Sequence, residues 1–107
     1  MLSRTFLWPQ GYTSAAMISV NLDAEFYGRI FYPVIDVSEG DIQRLGWTGM
    51  EYGLPHLLDC FREHGVKGTF FIPGRVAELY PDAVRAIADA GHELGCHGYE
   101  HEILAHF

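Results

Sequence analysis

Residues 51–74 read EYGLPHLLDCFREHGVKGTFFIPG, and this stretch decides the fold. Leu54, Leu57, Leu58 and Phe61 recur at three- and four-residue spacing, which predicts a helix with one apolar face. Pro55 suits its first turn and Gly65 the position just past its C-cap. Val66 to Ile72, VKGTFFI, combines Thr and aromatics and stops at Pro73-Gly74, the pattern of a strand with a terminator. Downstream, a short helical turn is expected over Arg75 to Leu79. A second helix follows from Pro81 to Ala90, with Val84, Ile87 and Ala88 inward and Gly91 at its end. His92 to Cys96, HELGC, reads as a third short strand. Upstream, the apolar run AAMISVNL over Ala15–Leu22 predicts a fully buried strand. Residues 26–50 show no period and read as a long loop. The order strand, helix, strand, helix, strand implies parallel strands with right-handed crossovers, an α/β sheet or part of a barrel. Asp23, Pro73 and His97 each follow the end of a strand, so three turns deliver residues to one rim.

Composition narrows the function. A chain of 107 residues has room for one modest core. Hydrophobic residues are 49% and charged residues 20%, as in a globular protein and unlike a disordered one. The net charge of −7, with seven scattered basic residues, argues against nucleic-acid and anionic-membrane partners. No apolar run approaches the ~18 residues a bilayer span requires. The N-terminus MLSRTFLWPQ lacks the apolar region of a signal peptide. Cys60 and Cys96 are too few for a disulfide framework and read as reduced, buried thiols of a cytoplasmic protein.

The chemistry concentrates in CHGYEHE, residues 96–102, where His97 and His101 stand four apart. A helical turn after His97 would aim both imidazoles the same way, at one metal ion. Asp23, at the rim of the first strand, is the natural third ligand; two His and one carboxylate leave coordination positions open. The H-x-x-x-H spacing alone is a weak signal. His56, His64, His92 and His106 are further histidines with no ligand role. Trp8, Trp47, Phe26, Tyr27, Phe31 and Tyr32 either stack on a ring-shaped substrate or pack the long loop. Tyr99 either lines a cleft or packs, and Arg75 either meets a substrate carboxylate or opens a helix in solvent.

Three segments together resemble the polysaccharide-deacetylase, or NodB-homology, family: NLDAE (21–25), EYGLPHLLDCFREHGVKGTFFIPG (51–74) and DAGHELGCHGYEHE (89–102). Any one is suggestive; three in this order and spacing are specific. The resemblance is nearest to the branch of peptidoglycan-deacetylase-like proteins and cyclic-imide or allantoin-type hydrolases. It spans about Ser19 to Leu104, so residues 1–107 are read as one partial domain lacking its C-terminal side. What the resemblance implies is the first half of a deformed (β/α) barrel. It implies a divalent metal, zinc first, held by Asp23, His97 and His101, and metal-activated water attacking an amide or imide carbonyl.

One position departs from the pattern. The branch places a proton-accepting Asp two residues before the metal Asp, and this chain has Asn21 there. An Asn side chain cannot take a proton at neutral pH. That shifts the expected substrate toward an imide or ureide and away from an N-acetylated sugar, with Glu25 the nearest spare carboxylate and Glu100 and Glu102 behind it. Two other readings stand beside this one: a metal-free hydrolase of the same fold acting on cyclic ureides, and a catalytically silent half-barrel serving as a binding module. Three strands and two helices would leave an open sheet edge. A homo-oligomer or a missing C-terminal half is therefore expected to complete the fold.

Overall fold

A computed structural model of the chain describes residues 7–30, 38–102 and 104. Among the described residues are three strands, β1 (Ser19–Asn21), β2 (Thr69–Ile72) and β3 (Glu93–Cys96), and four α-helices, α1 (Glu39–Thr48), α2 (Leu54–Glu63), α3 (Gly74–Leu79) and α4 (Pro81–Asp89). The strands form one parallel sheet in the order β1-β2-β3, as the alternation of elements predicts. Val20 pairs with Phe70, and Phe70 with Leu94, so β2 is the central ruler against which both neighbours are registered.

The local causes are those of the sequence. Pro55 lies in the first turn of α2, and Gly65, past its His64 cap, takes φ +63°. α4 starts on Pro81 and ends before Gly91 at φ +83°. The core gathers Leu54 and Phe61 of α2, Phe70 and Ile72 of β2, Val76 of α3 and Ile87 of α4, with Leu22, Phe26 and Met50. Phe70, Val76 and Ile87 are 0% exposed, and each contributes about 1.5–3 kcal/mol of burial.

Four expectations are corrected. Only Ser19–Asn21 of the run Ala15–Leu22 is strand, and it is not fully buried; Met17 is 84% and Ile18 43% exposed. β1 has a strand on one side only, and no described element covers the residues before it. The described parts of the long loop over 26–50, residues 26–30 and 38–50, are largely helical. A 3-10 helix spans Ala24–Ile30, α1 follows, and a wide turn over Gly49–Gly53 runs into α2. The missed signal is a capping pattern: the Ser38 hydroxyl accepts from Asp41 N at 3.1 Å and caps α1. On α4, Ala88 is exposed, and Ala83 packs inward with Val84 and Ile87. Cys60 and Cys96 are free but exposed, because Cys60 lies on the outer face of α2 and Cys96 on an uncovered position of β3. Residues 31–37, with Phe31 and Tyr32, and His106 lie outside the described residues. No helix among those described is long and apolar enough to cross a membrane.

Candidate metal centre

The C-terminal ends of the strands meet at one rim, and β2 sets its spacing. Leu22 N donates to Phe71 O at 2.9 Å, and His97 N donates to Ile72 O at 3.2 Å. Asp23 and His97 are thus held on either side of the end of β2, one through its neighbour and one directly. Phe26 N donates to Asp23 O at 2.9 Å, starting the 3-10 helix. Ala24, at φ +48°, makes the sharp change of direction. A left-handed Ala is strained by roughly 1–2 kcal/mol, and such strain concentrates at functional sites.

The side chains converge. His97 Nδ1 lies 2.8 Å from Asp23 Oδ1, and His101 Nε2 lies 3.7 Å from Asp23 Oδ2. The two imidazoles stand nearly perpendicular, with ring centres 4.9 Å apart. One ligand atom from each of Asp23, His97 and His101 falls within 4.8 Å of the others, and among the described residues this is the single such His/Cys/Asp/Glu group. The route differs from the expected helix. After His97 the chain makes a turn with Gly98 at φ +68° and His101 at φ +57°, and that turn brings the second imidazole back toward Asp23.

The donor set fits a divalent cation: two imidazoles and one carboxylate, each partly buried. His101 Nδ1 is buried with no hydrogen-bond partner, and its Nε2 stands beyond hydrogen-bond reach of Asp23. Nε2, the ring nitrogen toward Asp23, is therefore left open to a ligand, which would leave Nδ1 as a buried N–H.

The other candidates separate. Asn21 ends β1, exposed and paired in register with Phe71. Glu25 is not part of the converging group; its Oε2 accepts from the Tyr80 hydroxyl at 3.2 Å. Burial, then the Glu25 charge, raise the Tyr80 pKa. The approach of α1 to this segment depends on Gly46, where a Cβ would run into the backbone of Glu25, at 2.6 Å from its Cα. Arg75 pairs with Glu78 at 2.9 Å, and the Tyr99 hydroxyl reaches the same carboxylate at 2.8 Å. The Tyr99 ring lies over Gly74, where a Cβ would come within 2.8 Å of it. Trp47 packs edge-on against Tyr52, and Phe26 is buried in the core. His92 is a core residue. Reasoning from sequence left Glu102 as a spare acid, whereas its carboxylate accepts from Tyr99 N and Glu100 N. Its one visible signal was its position directly after the second histidine.

Residues 46–106 match the family model described as Polysaccharide deacetylase, a span that includes His97, His101 and Glu102 and starts beyond Asp23. The chain is 43% identical over 65 residues to the peptidoglycan deacetylase of Helicobacter pylori, covering 61% of this chain and 22% of that protein. It is 47% identical over 51 residues to a peptidoglycan-N-acetylglucosamine deacetylase of Bacillus cereus, covering 48% of this chain and 18% of that one. The crystal structure of a candidate polysaccharide deacetylase from Mycobacterium smegmatis superposes with a TM-score of 0.79 at 36% identity. That match covers 94% of this chain and 35% of the solved one. The matched regions are thus about a fifth of these two curated relatives and about a third of the solved neighbour.

Proposed function

This chain belongs to the polysaccharide deacetylase family, and from that premise we propose that the protein hydrolyses a non-peptide C–N bond, the amide of an N-acetyl group on an amino sugar, at a divalent-cation site made by Asp23, His97 and His101. The observation that carries this reading is the convergence of those three side chains from two separate strand ends. The similarity to a peptidoglycan deacetylase and a peptidoglycan-N-acetylglucosamine deacetylase supports the N-acetylated sugar. Zinc is the proposed ion, because a borderline-soft cation suits mixed imidazole and carboxylate donors. When bound, such a cation supplies Lewis acidity toward the carbonyl and toward water. The chain's own share is to present two imidazoles and a carboxylate in one fixed direction, with the strained turns on either side setting that direction. Of the two base candidates, Asn21 cannot take a proton at neutral pH, while the Glu25 carboxylate can, its Oε2 engaged by the Tyr80 hydroxyl and its Oε1 a second acceptor. Glu25→Gln should then lower kcat by roughly 10²–10⁴ if Glu25 takes the proton.

Asn21 favours a second reading, a hydrolase of cyclic imides or ureides that works without a bound metal. One assay separates the two. Acetate release from N-acetylglucosamine oligomers and imide ring opening are measured on the full-length protein, before and after chelation. Acetate release that chelation abolishes and zinc restores supports the first reading. Ring opening that survives chelation, with no acetate released, selects the second.

A further inference from the structure

We propose that Glu102 is a positioning residue for the cation site: its carboxylate closes the turn over residues 98–101 and so sets where the His101 imidazole stands. This rests on reading Asp23, His97 and His101 as cation ligands. Tyr99 N donates to both Glu102 oxygens, at 3.0 Å each, and Glu100 N donates to Oε1 at 2.8 Å. Two successive amides thus converge on one carboxylate, a concave nest of N–H groups closed by an anion from the same chain. Bonds to an ionised acceptor are about twice as strong as neutral ones. The opposite side of the turn is held too, because Gly74 N donates to Gly98 O at 2.9 Å and Arg75 N to Tyr99 O at 2.8 Å. Gly98 is required twice over. Its φ is +68°, and a Cβ there would occupy the place of Glu102 Oε2.

The consequence falls on His101. Its own backbone is left-handed at φ +57°, a conformation that a histidine holds only when its surroundings enforce it. Its ring has no strong tether of its own, with Nε2 at 3.7 Å from Asp23 and Nδ1 unpartnered. The backbone turn therefore places this imidazole, and Glu102 is the side chain that fixes the turn. Removing the carboxylate releases two amides and the strained His101 together, and the ring drifts from Asp23 and His97.

The test uses the full chain with cobalt(II) alone as the probe. Cobalt affinity and the visible absorption of the bound ion are measured for the wild type, Glu102→Ala, Glu102→Gln and Asp23→Ala. In parallel, imidazole NMR resonances are recorded without metal, and urea unfolding reports on the fold. Glu102→Ala should weaken cobalt binding by roughly 10–100-fold, the usual effect of losing an outer partner of a ligand. It should also change the absorption band and move the His101 ring resonances in the metal-free protein. Glu102→Gln, which keeps one acceptor oxygen, should recover part of the affinity. If Glu102→Ala lacks a cooperative transition, Glu102→Gln alone carries the test, and affinity and resonances within error of wild type in that variant overturn the proposal. Wild-type affinity and unmoved His101 resonances in a folded Glu102→Ala overturn it equally. A wild type that takes up no cobalt, or an Asp23→Ala variant that binds as well, sinks the cation reading instead. The positioning role is then decided by the metal-free resonances.

Discussion

His92 stands one residue before β3 and His97 one residue after it, so a single four-residue strand separates two imidazoles with opposite surroundings. His92 is 7% exposed, packs against the rings of Phe61 and Phe70 with centres at 5.4 and 5.1 Å, and accepts from Gly68 N at 3.0 Å. That bond assigns the proton to Nε2 and keeps the ring neutral. At the other end, His97 and His101 face a carboxylate, and one of their four nitrogens is buried without a partner. Helix caps at the lower end use glycine for left-handed turns, at Gly65 and Gly91. The rim uses glycine too, at Gly98, but also places the non-glycine residues Ala24 and His101 in that conformation. One end of the strand satisfies the His92 ring and turns on glycines; the other leaves one ring nitrogen unsatisfied and holds two non-glycine residues left-handed. Stability resides at the lower end and the proposed chemistry at the rim, as in α/β folds generally.

Mutations at the lower end should change stability and leave cation binding alone. His92→Ala strips the buried Gly68 N–H of its acceptor and should cost about 1–3 kcal/mol, read as a lower urea midpoint with unchanged cation affinity. A parallel loss of affinity would mean that the two ends are not separable. Gly65→Ala forces a Cβ into φ +63° and should cost roughly 1–2 kcal/mol by the same measurement. A neutral effect would show that the α2 terminus relaxes freely. The smallest effect is in pH. Burial first, then the Lys67 charge, push the His92 pKa below its ordinary value of 6.5. The unfolded chain thus binds the extra proton first. Stability should fall as pH drops below about 6.5 and level off below the folded pKa. An unfolding midpoint independent of pH across this window would contradict the buried, neutral assignment of His92.

How much was legible follows the same division. The α2–β2 unit announced itself through Leu54, Leu57, Leu58 and Phe61, then Pro73-Gly74, because local periodicity and punctuation coincide there. Asp23, His97 and His101 were legible as types at the ends of strands. The manner of their meeting was not, since a left-handed His101 is enforced by Glu102 and by Gly74 from another element, contacts that no local pattern encodes. The helix α1 was missed because its apolar face is thin. Gly46 sits at its tightest contact, where hydrophobic periodicity has nothing to register. The apolar run before β1 misled for the converse reason, since hydrophobicity predicts burial only where another element arrives to cover it. Leu94, 43% exposed in β3, makes the same point.

The central claim is that Asp23, His97 and His101 form one divalent-cation site. Its most direct test is zinc stoichiometry by calorimetry and elemental analysis, comparing the wild type with the His97→Ala/His101→Ala double variant. The account predicts one zinc per wild-type chain and none above background in the double variant, with the urea midpoint of the metal-free protein little changed. Equal zinc content in the two proteins would contradict it.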